Sequence, residues 1–267
     1  MDPRNRLGGE PAALELEQES GRTASSRRGL LLRTIHVAGE LLLTVGIIVL
    51  LFVAWQLWWT NVDSDARQRE AVHDFARWIG TAAPASPPLP SAVAPEPAVA
   101  PEPAEGATIG ILYVPRFGAG YTRPIVQGTT PAVLDTLGIG HYPGTAMPGA
   151  AGNFAVAGHR QSHGAVVDHI DALVPGDWIY VQTREGYYVY VFRNSQTVLP
   201  SRTDVLLPVP MLPGAAPTQS YLTMTSCNPR FGSEERFVAY ALLERWQSLS
   251  AGPPAEISRA ARAAGEG

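Results

Sequence analysis

The chain is poor in the features that mark disulfide-bonded, zinc-finger and nucleic-acid-binding proteins. Its 267 residues include a single cysteine, Cys227, so an intramolecular disulfide is excluded. No set of Cys and His residues has zinc-finger spacing, and neither a metal ion nor a cofactor is predicted. Loop carboxylates such as Asp168 and Asp171 leave calcium as an alternative, with a solvated loop the simpler interpretation. The formal net charge of -4 gives no sign of a surface for nucleic acid.

One long hydrophobic run lies near the N-terminus. From Ile35 to Trp59 the chain is almost continuously apolar, about the length that crosses the hydrocarbon core of a bilayer. No small-x-small cleavage site follows it, which favours a transmembrane helix over residues 34–59 rather than a cleaved signal peptide. Arginines precede the run, and Asp63 and Asp65 follow it. The positive-inside rule therefore predicts a single-pass protein of the plasma membrane, with a cytoplasmic N-terminus and an extracellular remainder.

Composition divides the rest of the chain. Residues 1–33 are polar and end in a basic cluster, which predicts a disordered cytoplasmic segment. Residues 60–81 have the pattern of an amphipathic juxtamembrane helix. The Pro- and Ala-rich residues 82–106 predict a semi-rigid spacer that holds a domain away from the bilayer. We expect the folded catalytic module over residues 107–247 and a disordered tail over residues 248–267.

The folded module consists of short β-type runs separated by turn signals. The predicted strands are Thr108–Val114, Arg123–Gln127, Asn153–Gly158, Asp177–Thr183, Tyr187–Phe192, Asp204–Leu207, Ser220–Ser226 and Arg236–Leu243. Residues 184–186 lie between two alternating runs and predict a hairpin. About eight strands with few helices predict a mainly β fold. A closed eight-stranded β-barrel with short helices is the economical solution, because closure removes exposed strand edges.

Three residues with reactive or charged side chains lie at predicted strand ends. A lone cysteine such as Cys227 is often a small buried hydrophobe, whereas beside a cation it becomes a thiolate nucleophile. Arg236, which begins the next strand, is the candidate cation or a ligand for a substrate oxygen. His159 ends another apolar strand; a histidine bonded only to its neighbours is the alternative. If the barrel joins these ends, they supply a nucleophile, a base and an oxyanion donor.

Two sequence motifs carry a resemblance to a known family. Residues Asn153–Arg160 (NFAVAGHR) and Thr223–Cys227 (TMTSC), followed by Arg236, resemble the signature of sortases, the membrane-anchored cysteine transpeptidases of Gram-positive bacteria. The family pattern before the cysteine is TLxTC, and this chain has Met224 and Ser226 in place of the leucine and the threonine. The chain is most similar to class E sortases in VPRF at 114–117, Tyr121, RP at 123–124, GHRQSHG at 158–164 and CNPRF at 227–231.

The resemblance implies a role for each candidate residue. Cys227 would be the nucleophile that attacks the Thr–Gly carbonyl of a C-terminal sorting signal. His159 would be the general acid and then the base, and Arg236 would orient the substrate and stabilise the oxyanion. A thioester would be resolved by an amine of a peptidoglycan precursor, and class E would favour LAXTG over LPXTG signals. The implied partners are secreted proteins that carry such signals, the wall precursor and the membrane.

The resemblance also implies a substrate groove, and it leaves alternatives open. Tyr121 would shape the pocket, with core packing as the alternative, and Thr225 and Ser226 would line the groove, with strand packing as the alternative. An L,D-transpeptidase is excluded because Ser162–Gly164 (SHG) is followed by Ala165 where that family has its cysteine. A pilus-type sortase of another class and a catalytically silent, membrane-tethered binding module remain alternatives.

Overall fold

The computed structural model describes residues 12–82 and 96–266, which divide into two compact units, Met1–Gln56 and Leu57–Gly267. Helix α1 runs over Ala12–Ala82. It contains one segment, Leu31–Thr81, that is long and apolar enough to cross a membrane by its length and composition. The prediction of disorder before residue 34 is therefore wrong from Ala12 onward, because this stretch is rich in strong helix formers and lacks proline. Residues 1–11 lie outside the described range.

Eight strands close into a barrel, as the strand pattern predicted. In chain order they are β1 (Thr108–Tyr113), β2 (Thr122–Gln127), β3 (Ile139–His141), β4 (Gly152–Ala157), β5 (Trp178–Gln182), β6 (Gly186–Val198), β7 (Ser220–Asn228) and β8 (Glu235–Ser248). Around the barrel the order is β1-β2-β3-β4-β7-β8-β6-β5. The β2–β3 and β4–β7 pairs are parallel, and the other neighbours are antiparallel. The predicted hairpin joins β5 to β6, with Gln182 opposite Tyr187.

One of the eight predicted strands is replaced by another segment. The predicted strand Asp204–Leu207 overlaps a 3-10 helix over Thr203–Leu206. The eighth strand is instead β3, which the sequence did not predict, because three residues are too few to give a period of two. The only short α-helix of the described loops, α2 (Pro131–Leu134), precedes β3, and 3-10 turns lie at Pro115–Phe117 and Ile170–Ala172.

The strands bury side chains on both faces. Alternate residues such as Leu112, Ile179 and Tyr190 fill the barrel interior. Their neighbours in sequence, including Ile111 and Tyr180, face outward into a second apolar cluster. This outer cluster is covered by helices, which is why strands of this kind carry apolar residues at nearly every position.

The outer cluster is covered in part by the C-terminal residues. Two 3-10 turns, Leu249–Ala251 and Ala255–Ile257, lead into α3 (Ser258–Glu266). Ala260 and Ala264, four residues apart, are buried on one face of α3. Residues 249–266 are therefore packed, and the predicted disordered tail is wrong for them, because small apolar side chains suffice to cover the tyrosines of the barrel.

Part of the predicted spacer also packs on the barrel. The hydroxyl of Tyr188 donates to the carbonyl of Ala98, and Glu102 accepts a hydrogen bond from the amide of Gly144 at 3.1 Å. Glu105 accepts from the hydroxyl of Thr130 at 2.7 Å. Residues 96–106 are thus held by specific polar contacts rather than serving as a free spacer, while residues 83–95 lie outside the described range.

Candidate active site

Strand pairing brings the ends of β4 and β7 together. In this parallel pair Ala157 lies opposite Thr225, and the amide of Gly158 donates to the carbonyl of Thr225 at 3.1 Å. His159 and Cys227 each lie two residues beyond this paired position, so both residues lie at the same edge of the sheet. Cys227 is partly exposed. The sequence prediction that the two strand ends meet is therefore consistent with the pairing.

His159 is held by a carboxylate that the sequence did not reveal. Its Nε2 lies 2.7 Å from Oδ1 of Asp135, at the C-terminal end of α2. An ionised carboxylate only accepts hydrogen bonds, so Nε2 carries the proton and Nδ1 is the nitrogen left for other chemistry. The two side chains are 27% and 42% exposed, which leaves the pair open to substrate and solvent.

Polar residues of α1 hold the loops that carry this pair. The hydroxyl of Ser64 donates to the backbone carbonyl of Asp135 at 2.9 Å. The amide of Gln68 donates to the backbone carbonyl of His163 at 3.0 Å. Ser64 and Gln68 are 4% and 1% exposed, so these bonds are shielded from water. The segment predicted as a juxtamembrane helix therefore supports the candidate site directly.

The loop after His159 takes an unusual backbone path. His163, Gly164 and Ala165 have φ angles of 51°, 87° and 46°, all in the left-handed region. Such conformations cost about 1–3 kcal/mol each for residues other than glycine and persist only where surrounding contacts enforce them. The amide of Gly164 donates to Asn61 at 3.0 Å, and a Cβ at Gly164 would lie 2.8 Å from the side chain of Gln68. Close contact with α1 thus shapes this loop.

Arg160 fixes the backbone beside the cysteine. It is 4% exposed, and its guanidinium donates to the carbonyl of Cys227 at 3.4 Å and to the side chain of Asn228 at 2.8 Å. Its second amine donates to Asp171 at 2.5 Å. These contacts use the arginine for structure, and they place the end of β7 against the loop that carries His159.

Arg236 lies opposite Cys227 in the antiparallel β7–β8 pair. Directly opposed residues project from the same face of a sheet, so the guanidinium and the thiol share a face. The Nη1 atom donates to the backbone carbonyls of Ser233 and Glu235 at 2.9 and 2.8 Å. The arginine is thereby held near its own strand, and its other amine group has no partner among the contacts of the described residues.

The three predicted substrate-binding residues have different surroundings. Tyr121 packs edge-on against Phe117 at 5.1 Å between ring centroids, and its hydroxyl donates to the carbonyl of Val166. Thr225 is 5% exposed, shares the face of Cys227 and donates to the carbonyl of Val156 at 3.3 Å, so its groove role stays a prediction. Ser226 is 3% exposed, alternates to the opposite face and donates to the carbonyl of Gly158 at 2.8 Å. This bond ties β7 to β4, and the groove role of Ser226 stays a prediction.

Asp135, His159 and His163 also form a set of metal-ligand atoms. One atom from each residue lies within 4.8 Å of the other two. The imidazole rings of His159 and His163 are 5.0 Å apart between centroids. Sequence spacing does not reveal this set, because Asp135 follows α2 and lies 24 residues before His159.

Relatives of known family match nearly the whole chain. Sortase SrtE2 of Streptomyces coelicolor is 31% identical over 264 residues, which cover 91% of this chain and 97% of the relative. The chain belongs to the sortase family. The family model described as the sortase domain matches residues 112–244. Sortase SrtE1 of the same organism is 34% identical over 246 residues, 88% of this chain, and the chain spans 65% of that relative's length.

Solved structures support the sortase barrel and its class. SrtA sortase from Actinomyces oris has a TM-score of 0.58 and 38% identity, covering 60% of this chain and 93% of that one. Sortase E from Streptomyces avermitilis has a TM-score of 0.53 and 33% identity, covering 58% and 99%. Sortases are cysteine transpeptidases, and the relatives agree with the predicted likeness to class E. Cys227 and His159 therefore lie at one edge of a barrel that has the sortase fold.

Proposed function

We propose that this sortase is a membrane-anchored transpeptidase that cleaves a C-terminal LAXTG-like signal between Thr and Gly. The threonine carbonyl would then be joined to an amine of a cell-wall precursor, so that secreted proteins become attached to the wall. The observation that supports the proposal is strand pairing, in which Cys227 lies opposite Arg236 and β4, which ends just before His159, lies beside β7. The apolar segment within Leu31–Thr81 supplies the anchor, with the N-terminus in the cytoplasm and the barrel outside.

In the first half-reaction the thiolate of Cys227 attacks the threonine carbonyl carbon. A carbon–sulfur bond forms, and the carbonyl electrons move to the oxygen, where the guanidinium of Arg236 stabilises the negative charge. The carbon–nitrogen bond then breaks as the imidazolium of His159 gives its proton to the leaving glycine amine. We assign this transfer to Nδ1, because Nε2 is bound to Asp135 at 2.7 Å. The product is a thioester on Cys227.

In the second half-reaction an amine of the wall precursor attacks the thioester. The neutral His159 accepts a proton from that amine as the new carbon–nitrogen bond forms. The carbon–sulfur bond breaks, and the sulfur leaves as the thiolate of Cys227. The imidazolium and the thiolate are thereby restored together, which returns the enzyme to its starting state.

The test is turnover of two quenched peptides that differ at the second position of the signal. The full chain in detergent is incubated with LAXTG or LPXTG peptide and a glycine-type amine, and Cys227→Ala is the control. We expect cleavage and amide formation that require the thiol and favour LAXTG. Faster turnover of LPXTG would refute the signal preference alone. A folded protein that turns over neither peptide would refute the transpeptidase and favour a binding module.

A further inference from the structure

We propose that Asp135, His159 and His163 form an inhibitory zinc site that takes the general acid and base out of the reaction. Nε2 of His159 lies 2.7 Å from Oδ1 of Asp135, and Nδ1 of His163 lies 3.7 Å from the same oxygen. Tetrahedral zinc with ligand distances near 2.0–2.1 Å separates its ligand atoms by about 3.3 Å. These two distances bracket that value, and all three ligand atoms lie within 4.8 Å of one another, so the side chains must rotate to admit the ion.

The ligand types select zinc among the common divalent ions. Two imidazole nitrogens and one carboxylate oxygen suit zinc, whereas magnesium and calcium prefer oxygen ligands. Three protein ligands leave a fourth position for water, as in zinc sites that stay open. Side-chain exposures of 27% for His159, 31% for His163 and 42% for Asp135 give the ion a path from solvent.

His163 has a nitrogen without a partner at this position. Its Nδ1 atom is buried and has no hydrogen-bond partner within the described ranges. The backbone that presents it is held in the left-handed region, with φ of 51°, and its carbonyl is bound by Gln68. Both the strained backbone and the buried, unpaired nitrogen cost stability. A ligand bound to this nitrogen would offset part of that cost.

The charges around the cluster also tolerate a cation. Arg123 of β2 is paired with Asp65 at 3.1 Å, and Arg160 is paired with Asp171. Both guanidinium charges are thus compensated by carboxylates. Among the described residues the carboxylate of Asp135 pairs with the two histidines alone, so it is available to offset half the charge of the ion.

Binding of zinc would silence His159. A metal-bound Nε2 leaves the proton on Nδ1 and removes the lone pair that must accept a proton in the second half-reaction. The ion would also displace the bond between His159 and Asp135. The inhibition rests on the proposed role of His159 in transpeptidation, whereas the binding itself does not.

Metal binding is measured first, on a full chain that carries Cys227→Ala so that the thiol contributes no ligand. Cobalt(II) is the spectroscopic probe, and zinc is then added to displace it. We expect one tetrahedral cobalt per chain, loss of affinity by more than about tenfold with His163→Asn, and no change with His169→Asn. His169 lies six residues along the same loop and contacts Phe117, which makes it the matched control. Equal binding in the His163 and His169 variants would overturn the site.

Inhibition is measured second, on the enzyme with Cys227 intact. We expect zinc to stop turnover of the preferred peptide and a chelator to restore it. With activity expressed relative to each protein's own metal-free rate, His163→Asn should raise the inhibitory zinc concentration by more than about tenfold. Inhibition that persists unchanged in this variant would assign the effect to Cys227 and overturn the proposal. Absence of turnover in the metal-free enzyme would refute the proposed function instead, and the cobalt measurement would still test the site.

Discussion

Removal of the Asp135 side chain tests whether the carboxylate positions His159. The bond between them is 2.7 Å long, and a hydrogen bond to a charged group contributes about 1.5–3 kcal/mol. Because the carboxylate is 42% exposed, solvent screening favours the lower end of that range. A loss of about 1.5 kcal/mol from the transition state corresponds to a rate reduction of about tenfold. We therefore expect Asp135→Ala to lower kcat/KM by about tenfold.

The assay is steady-state turnover of the preferred peptide by the full chain. A positioning role predicts that kcat falls while KM changes little, because the histidine acts in the chemical step and does not contact the distal signal. Asp135→Asn keeps an acceptor oxygen and should retain part of the rate. Asp168→Ala is the control, since Asp168 is a loop carboxylate that pairs with Arg230 at 2.5 Å and does not contact His159.

Two results would refute this reasoning. If Asp135→Ala retained the full kcat, the imidazole would be positioned by other contacts and the carboxylate would be irrelevant to the reaction. If Asp135→Ala and Asp168→Ala lost activity equally, the loss would reflect general damage to the loops. Melting temperatures of both variants separate the second result from unfolding of the barrel.

Three further predictions concern α1 and the buried histidine of β3. Phe75→Ala should lower the free energy of unfolding by about 3–5 kcal/mol, seen in denaturant titration, because Phe75 is buried in the outer cluster. Gln68→Ala should slow turnover more than it lowers the melting temperature, because the lost bond holds the His163 loop. Burial lowers the pKa of His141 below 6.5, partly opposed by the Ala146 carbonyl and Glu102. At pH values below about 6.5 the unfolded chain therefore binds more protons than the folded chain, so the free energy of unfolding falls as the pH drops. His141→Gln should reduce the difference between melting temperatures at about pH 8 and about pH 5.

Strand patterns predicted the barrel because most strands are long enough to show their period. The alternation in β5 and β6 and the apolar run of β4 gave both the strands and the hairpin between β5 and β6. Strand β3 could not be found in this way, because it has three residues and a glycine at its centre. The tail was assigned to disorder from its composition, although Ala260 and Ala264 lie on one helical face. Composition alone does not show that small residues such as these alanines can pack against large side chains of the barrel.

The candidate site was predicted in part, for a similar reason. Cys227, His159 and Arg236 are predicted from the sequence because each lies at the end of a strand whose pattern is clear. Asp135 was missed because its only signal is a position after a four-residue helix, and the antiparallel pairing of β3 with β4 brings it to the end of β4 beside His159.

The contribution of α1 did leave a signal. Asn61, Ser64 and Gln68 are spaced by three and four residues, and the same face continues through buried Val72 and Phe75. The apolar residues of this stripe predict an amphipathic helix, but the sequence analysis assigns its polar residues no contact with the barrel. A polar stripe that continues an apolar one in helical register indicates a second surface that the same helix contacts.

In the proposed mechanism, these contacts would make residues 61–68 of α1 a support for the catalytic residues. Ser64 holds the backbone of Asp135, Asp135 holds His159, and Gln68 holds the loop that brings His163 beside it. Nε2 of His159 has two exclusive uses in this arrangement, since it either donates its proton to Asp135 or binds an ion with the same carboxylate. The first use leaves Nδ1 free to move a proton at Cys227, and the second removes that freedom. If both proposals hold, the Asp135 side chain that would position the histidine for catalysis is also the one that would hold it in a zinc site.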